Sequence, residues 1–347
     1  MNPTVLTIII SSLGLGTTIT FIGSHWLLVW MGLEINTLAI IPMMINQHHP
    51  RAAEATTKYF ITQATASALL LFASITNAWT TGEWSLTELL NPTSATLTTI
   101  ALALKIGLAP LHFWLPEVLQ GLNLITGLIL STWQKLAPFA ILLQIYPLLN
   151  PNLLMFFGIL STIVGGWGGL NQTQLRKILA YSSIANLGWM ISILHYAPNL
   201  TQLNLILYII MTLTTFLLFI SFNSTKINSI ASSSSKSSLL SIIALMTLLS
   251  LGGLPPLSGF MPKWLIGQEL TKQNLFTPAT IMAIMALLSL FFYLRLCYAT
   301  TLTMSPSPLN MLSSWRMKMI YLAPPLTLLT SLSLLLLPLT PTMFMIM

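Results

Sequence analysis

Four ionisable side chains lie inside stretches of this chain that are otherwise strongly apolar, and they could carry protons. They are Glu34, Lys105, Lys135 and Lys263. A charge at the centre of a bilayer costs roughly 2.5–3.5 kcal/mol even on a lenient scale, so such residues are found mainly where they line a polar interior path. Because three of the four are lysines, the set indicates proton chemistry rather than metal-cation chemistry.

Each of these lysines lies within five residues of a proline. Proline removes a helical hydrogen bond, so Pro110 would free the carbonyl of Ile106, next to Lys105. Pro138 would likewise free the carbonyl of Gln134. Such carbonyls can hold water or solvate an ammonium group. The residue pairs are Lys105 with Pro110, Lys135 with Pro138, and Lys263 with Pro262.

Glu34 is the expected partner of Lys105, provided that their two apolar segments pack together. An ammonium group moved out of water binds its proton less tightly, whereas a nearby carboxylate strengthens that binding. A lysine beside a movable glutamate is therefore a proton-binding site whose proton affinity can be set from outside the site, through the glutamate. A static buried ion pair joining two helices is the alternative. One carboxylate cannot neutralise three lysines. Lys135 and Lys263 would then continue a series of polar residues across the protein, which we call the polar path.

His112 and Glu117 follow Lys105 in the sequence and could connect this polar path to an aqueous face of the protein. A structural hydrogen-bonding role is the alternative for His112. Glu54 and Lys58 are spaced as an i,i+4 ion pair on a helix surface, where such a pair contributes little stability.

The composition limits what else the chain can do. Of 347 residues, 55% are hydrophobic and 5% are charged, which is typical of a polytopic membrane protein. The net charge of +7 comes from scattered residues without a basic stripe, so we expect no nucleic-acid partner. The single Cys297 excludes an internal disulfide and a cysteine-ligated iron–sulfur centre. We expect no cofactor, no metal ion and no disulfide partner for this chain.

Apolar stretches of roughly 20 residues can span a bilayer, and about eleven occur in what we predict to be one membrane domain, 1–347. Two connections, the Ser-rich 223–238 and the Pro/Ser-rich 304–314, are predicted to be solvated loops. We therefore predict an all-α polytopic membrane protein. Its predicted spans are 3–22, 25–46, 52–79, 94–120, 123–146, 150–171, 176–195, 200–223, 239–268, 276–299 and 320–340.

Two spans, the fourth and the ninth, contain similar proline- and glycine-rich segments. Residues 107–121 read GLAPLHFWLPEVLQG and residues 253–267 read GLPPLSGFMPKWLIG. Their shared spacing predicts two discontinuous helices in an inverted-topology repeat, an architecture that places transported ions near the membrane midplane. The first repeat would cover 94–223, and 239–340 would be the remainder of the second. Ordinary proline kinks with chance similarity are the alternative.

The distribution of Lys and Arg predicts the orientation of the chain, because cytoplasmic-side loops carry an excess of both. With eleven spans, the N-terminus lies on the positive side and the C-terminus on the opposite side. Loops of the positive side hold Arg51, Arg176, Lys177, Lys226, Lys236, Arg316 and Lys318, whereas Lys272 lies on the other side.

Several segments closely resemble the antiporter-like membrane subunits of vertebrate mitochondrial NADH:ubiquinone oxidoreductase, respiratory complex I. The resemblance implies a core membrane-arm subunit of the mitochondrial inner membrane, with its N-terminus in the matrix and its C-terminus toward the intermembrane space. Glu34, Lys105, Lys135 and Lys263 stand at the positions of the family's proton-translocation residues, while quinone reduction occurs elsewhere. The segments are SHWLLVWMGLEINTLAIIP (24–42), LKIGLAPLHFWLPEVLQGL (104–122), TWQKLAPF (132–139), LRKILAYSSIANLGWM (175–190) and LGGLPPLSGFMPKW (251–264).

The partners that the resemblance implies are other membrane-arm subunits and the lipid bilayer, with cardiolipin as a candidate lipid. Two other functions stay open from the residues alone. One is a self-contained cation/proton antiporter, which an inverted repeat suits equally well. The other is a structural or assembly subunit of the membrane arm, whose lysines are paired or neutral and idle.

Overall fold

The computed structural model describes residues 2–46, 49–234, 238–301 and 323–346, and the regular elements within these ranges are helical. Short 3-10 turns lie at Tyr146–Leu148 and Leu337–Leu339. The α-helices are α1 (Pro3–Ile22), α2 (Trp26–Ile45), α3 (Pro50–Thr81), α4 (Pro92–Ile106), α5 (Trp114–Gly121), α6 (Leu124–Ser131), α7 (Trp133–Ile145), α8 (Pro151–Gly169), α9 (Leu175–Ile193), α10 (Pro198–Ser221), α11 (Ile227–Ser234), α12 (Ser238–Gly252), α13 (Phe260–Lys272), α14 (Phe276–Thr301), α15 (Ala323–Leu335) and α16 (Thr340–Ile346).

Seven helical stretches in the described ranges are long and apolar enough to cross a membrane. The other predicted spans correspond to α9, to α15 and to two helix pairs, α4 with α5 and α12 with α13. The prediction of an all-α polytopic membrane protein is confirmed. The seven stretches are Pro3–Ile22, Trp26–Ile45, Pro50–Thr81, Leu124–Leu148, Pro151–Gly169, Pro198–Ser221 and Phe276–Thr301.

Prolines and polar caps determine where many of these helices begin. The helices α1, α3, α4, α8 and α10 start at a proline, whose missing N–H is not needed in the first helical turn. Before α4, the side chain of Asn91 accepts a hydrogen bond from the N–H of Thr93 at 3.3 Å. These signals place the helix starts close to those predicted from the sequence.

The fourth and ninth spans are both interrupted, and the interruptions share one local geometry. Gly107 follows α4 with φ 86°, and Gly253 follows α12 with φ 82°, values that suit glycine because it has no Cβ. In each break the glycine N–H and the next N–H donate to one carbonyl, that of Ala103 or that of Leu249, at 2.9–3.3 Å. The same hydrogen-bonding pattern therefore ends both half-helices.

The aligned positions of the two breaks continue to correspond beyond the glycine. A cis proline occupies the fourth aligned position in each, Pro110 and Pro256, and the next helix starts at Trp114 or Phe260. Because the helices stop and start again, an ordinary proline kink does not describe these segments. The prediction of two discontinuous helices is confirmed.

One predicted loop contains a helix. Residues 227–234 within the Ser-rich connection form α11, and Ile230 on this helix is buried. The Ser229 hydroxyl donates to the carbonyl of Lys226 at 2.6 Å and closes the first turn. The prediction of a fully solvated loop at 223–238 was therefore wrong, because two isoleucines spaced i,i+3 provide an apolar face. The predicted loop 304–314 lies outside the described residues.

The chain divides into two compact units, Met1–Leu160 and Ser161–Met347. In the first, α3 packs against both α2 and α4. In the second, α12 packs against α14 and α10. The predicted domain organisation, with repeats at 94–223 and 239–340, stays a prediction.

Candidate functional site

A small cavity in the first unit is lined by both Lys105 and Lys135. Its volume is about 20 Å³, which is enough for about one water molecule. Both lysines are 5% exposed, so their charged ends lie in the interior. The other polar residues that line the cavity are Asn36, Thr37, Tyr59, Gln63 and Gln134.

Lys105 lies in the last turn of α4, directly before the helix break. Its Nζ is buried and has no hydrogen-bond partner in the described part of the chain. Its backbone carbonyl accepts a hydrogen bond from Gln63 Nε2 at 3.4 Å. The neighbouring carbonyl of Leu104 accepts one from the Trp114 indole at 3.1 Å. Two carbonyls at this helix end thus accept from other side chains, while the Nζ of Lys105 has no partner among the described residues.

Lys135 lies in the first turn of α7, where the fifth predicted span is divided at Thr132. Pro138 lies inside α7 and leaves the Gln134 carbonyl without its usual helical donor, as predicted. The Gln134 side-chain amide donates to the backbone carbonyl and to Oδ1 of Asn36, at 3.2 Å each. This amide pair connects α7 with α2 beside the cavity.

The Glu34 carboxylate is held by hydroxyl groups rather than by a lysine. Ser67 Oγ donates to one carboxylate oxygen at 2.6 Å, and Thr37 Oγ1 donates to the other at 3.0 Å. In the described structure, Glu34 and Lys105 form neither an ion pair nor a hydrogen bond. The predicted partnership of Glu34 and Lys105 stays a prediction; in this structure α3 packs against both α2 and α4 and supplies the Ser67 hydroxyl that binds Glu34.

Glu34 lines a separate groove on the α2–α3 surface, with a volume of about 480 Å³ and mostly apolar walls. Thr37, Tyr59 and Gln63 line both this groove and the cavity of Lys105. These three side chains therefore stand between the carboxylate and the two lysines. A change in the charge or position of Glu34 would reach the lysines across this one layer of polar residues.

Lys263 lies in the second unit, on α13, and reaches back to the end of α12. Its Nζ donates to the carbonyl of Gly252 at 2.9 Å and is 3.4 Å from that of Leu251. A second cavity of about 20 Å³ adjoins it, and Asn186, Asn204 and Tyr208 contribute its polar lining. A broken helix thus supplies carbonyl groups that solvate a partly buried ammonium.

The structure does not bring His112 and Glu117 to the lining of the lysine cavity. His112 is buried between α4 and α5, and its Nδ1 has no hydrogen-bond partner among the described residues. Glu117 has a half-exposed side chain and pairs with Lys58 at 2.7 Å, and Lys58 also pairs with Glu54 at 2.7 Å. Glu117 thus belongs to a surface ion-pair cluster. A part of His112 and Glu117 in a proton path stays a prediction.

Sequence reasoning missed the polar side chains that surround the charged ones. Ser67 and Gln63 are four residues apart, on one face of α3, and Thr37 is one turn after Glu34. The available signal was the i,i+4 spacing of polar residues inside an apolar span. Only the packing of α3 against α2 and α4 shows which face they share with Glu34 and Lys105.

Discontinuous membrane helices, whose broken ends coordinate ions, are typical of proteins that move ions across the membrane. Residues 23–289 match the family described as NADH:quinone oxidoreductase/Mrp antiporter, TM. Residues 290–344 match the family described as NADH dehydrogenase subunit 2 C-terminus.

Similar proteins extend this match over the whole chain. NADH-ubiquinone oxidoreductase chain 2 of Squalus acanthias is 82% identical, over 100% of this chain and 99% of the relative. The same chain of Scyliorhinus canicula is 81% identical, over all of both. A chain in the structure of respiratory complex I from Thermus thermophilus with bound aureothin is 27% identical with a TM-score of 0.83, and the match covers 97% of this chain and 80% of that one. This chain belongs to the NADH:quinone oxidoreductase/Mrp antiporter family and, within it, to the NADH-ubiquinone oxidoreductase chain 2 proteins.

Proposed function

We propose that this chain translocates protons in the membrane arm of respiratory complex I, while NADH oxidation and ubiquinone reduction take place in other subunits. The chain is then part of an enzyme without performing the redox step. The observation that carries the proposal is the partnerless Nζ of Lys105, which lines a one-water cavity with Lys135. A buried ammonium without partners is costly, so small changes in nearby charge shift its proton occupancy strongly.

The proposed cycle begins at Glu34. Charge movement from quinone reduction frees the carboxylate from Ser67 and Thr37, which changes its Coulombic interaction with Lys105 and therefore the proton affinity of that lysine. The proton passes to Lys135 across the cavity that both lysines line. Lys263 is the proposed proton-carrying lysine of the second unit. Moving one charge against the membrane potential costs about 2.3 kcal/mol per 100 mV. A change of roughly 50-fold in proton affinity supplies that amount.

The cellular placement is part of the proposal. The mitochondrial inner membrane is supported by the naming of the relatives, and the N-terminus is assigned to the matrix by the distribution of Lys and Arg. Neighbouring membrane-arm subunits and lipid, with cardiolipin as a candidate, cover the exposed apolar surface.

The test is the proton yield per NADH oxidised by reconstituted complex that carries Lys105→Met. We expect the yield or the coupled turnover to fall while the assembled amount is unchanged, because the variant cannot hold a proton at this position. Lys58→Met is the matched control, since Lys58 is a half-exposed lysine in an ion-pair cluster away from the cavity. A normal proton yield in assembled Lys105→Met complex would refute the proposal and favour a structural subunit.

A further inference from the structure

The C-terminal end of α12 is a cation-binding site that the protein fills with its own side chain. The last carbonyls of a helix have no helical donor, and they lie at the negative end of the helix dipole. The Lys263 ammonium binds the carbonyl of Gly252 at 2.9 Å and lies 3.4 Å from that of Leu251. In membrane transporters, half-helix ends and unwound carbonyls of this kind coordinate Na⁺ or H⁺.

The backbone around the ammonium is shaped to fit it. A Cβ on Gly253 would lie 3.0 Å from Cδ and 3.1 Å from Nζ of Lys263, so no larger residue fits there without displacing the lysine. The φ of 82° at Gly253 also disfavours any side chain. The lysine therefore lies directly against the backbone where the helix ends.

The adjoining cavity provides further oxygen atoms and no carboxylate among its described lining residues. Three residues that carry neutral oxygens line it: Asn186 and Asn204 have amide oxygens, and Tyr208 has a phenol oxygen. Neutral oxygen ligands beside a helix C-terminus suit one positive charge, whereas divalent cations are usually bound by carboxylates. The site thus matches a monovalent cation.

The first break handles the corresponding carbonyls differently. Lys105 aligns with Leu251, and its carbonyl accepts from the neutral amide of Gln63. The preceding carbonyl of Leu104 accepts from the neutral indole of Trp114. Two carbonyls in the last turn of α4 thus accept from neutral donors. The second break is therefore distinguished by a charged ligand on its carbonyls.

We propose that Lys263 is a tethered cation which occupies a monovalent-cation site and thereby keeps the path selective for protons over alkali metal ions. Its ammonium can release and accept a proton, yet the side chain does not leave the site, so Na⁺ or K⁺ has no free coordination position. This selectivity role rests on the proposed proton translocation, but the occupancy of the site by a cation does not.

The test compares Lys263→Ala with Lys263→Met in assembled complex. Alanine opens the site, whereas methionine fills most of the same volume with an uncharged chain. Thermal midpoints are measured with NaCl, KCl and methylammonium chloride against choline chloride at equal ionic strength. We expect a saturable rise in the midpoint of Lys263→Ala with the small cations, and no such rise in Lys263→Met or in the unchanged chain. Equal responses of the two variants would overturn the inference.

A variant that does not assemble still gives an answer. Full-length Lys263→Ala chain is synthesised in a cell-free system with liposomes, in the presence of each salt, and its folded fraction is measured by protease resistance. Recovery with methylammonium or Na⁺ above that with choline supports the site, and equal folded fractions in all salts contradict it. Neither readout involves turnover, so failure here leaves the proton-translocation proposal standing.

Discussion

Glu34 is held by two hydroxyl groups, that of Ser67 on α3 and that of Thr37 on its own helix. A hydrogen bond to a charged group contributes about 1.5–3 kcal/mol, and the 2.6 Å bond from Ser67 has the length usual for a hydroxyl that donates to a carboxylate. The Ser67 carbonyl in turn accepts from the Trp30 indole at 3.2 Å, which positions this part of α3 against α2. The hydroxyls of Ser67 and Thr37 therefore set the resting position of the carboxylate.

Ser67→Ala should release Glu34 and let it approach Lys105. A closer carboxylate stabilises the proton on Lys105, and each 1.4 kcal/mol slows its release about tenfold. We expect coupled NADH oxidation by the assembled complex to slow by about that factor. Ser74→Ala is the matched control, because Ser74 is an equally buried serine on α3 whose hydroxyl donates to its own helix at Leu71. Equal rates for the two variants would remove Ser67 from the mechanism.

Single residues could be predicted from the sequence where their type conflicts with their surroundings. Lys105 and Lys135 stand out because lysine is costly in an apolar span, and both line one cavity. The Glu34 partner could not be predicted, because serine and threonine are common in these helices and their partners depend on which helices touch. The ion pair of Glu117 with Lys58 could not be predicted for a similar reason, since it joins residues 59 positions apart on α3 and α5.

Among the elements, the two interrupted helices were the most predictable. Gly107 and Gly253 are required by the left-handed backbone, and the prolines after them prevent the helix from continuing. Their spacing is therefore visible in the sequence. The short helix α11 was missed because serine-rich segments favour loops. The burial of Ile230 within the second unit outweighs that local preference.

Gly107→Ala separates the conformational cost of the break from its packing cost. The left-handed conformation costs roughly 1–2 kcal/mol for alanine. The new Cβ would also lie 3.0 Å from Leu115 Cδ1 and 3.4 Å from Trp114. Gly82→Ala is the control, with φ 77° and no atom within 4 Å of the new Cβ. We expect Gly107→Ala to lower the free energy of unfolding of the chain in detergent by about 1 kcal/mol more than Gly82→Ala. Equal losses would show that Leu115 and Trp114 move aside freely.

For the whole molecule, apolar surface and charge distribution carry the most information. Large apolar side chains face outward in both units, such as Ile22, Trp79 and Trp167 at 83%, 88% and 71% exposure. Lipid or partner subunits must cover this surface, because large apolar patches are rarely exposed to water. Hydropathy alone was enough to predict the spans, because each backbone in a bilayer must satisfy its own hydrogen bonds. The orientation rests on the Lys and Arg of the loops.

Three single-cysteine substitutions test that orientation. Arg51→Cys and Lys226→Cys lie on the predicted matrix side, and Lys272→Cys lies on the opposite side. In mitochondria stripped of the outer membrane, an impermeant maleimide should label Lys272→Cys at once and the other two only after the inner membrane is permeabilised. The native Cys297 is buried and provides the background level. Labelling of Arg51→Cys before permeabilisation would reverse the proposed orientation.

The hydrogen bond from the Trp114 indole to the Leu104 carbonyl joins the two halves of the first broken helix. At the aligned position the second break has Phe260, which has no N–H to donate, and its halves are joined instead through Lys263. The hydrogen bond across the first break joins two neutral groups, so a change of protonation does not break it. The second break is held by a hydrogen bond from a charged group, which weakens when the ammonium loses its proton while the side chain stays in place, so a passing proton changes how firmly the two half-helices are joined.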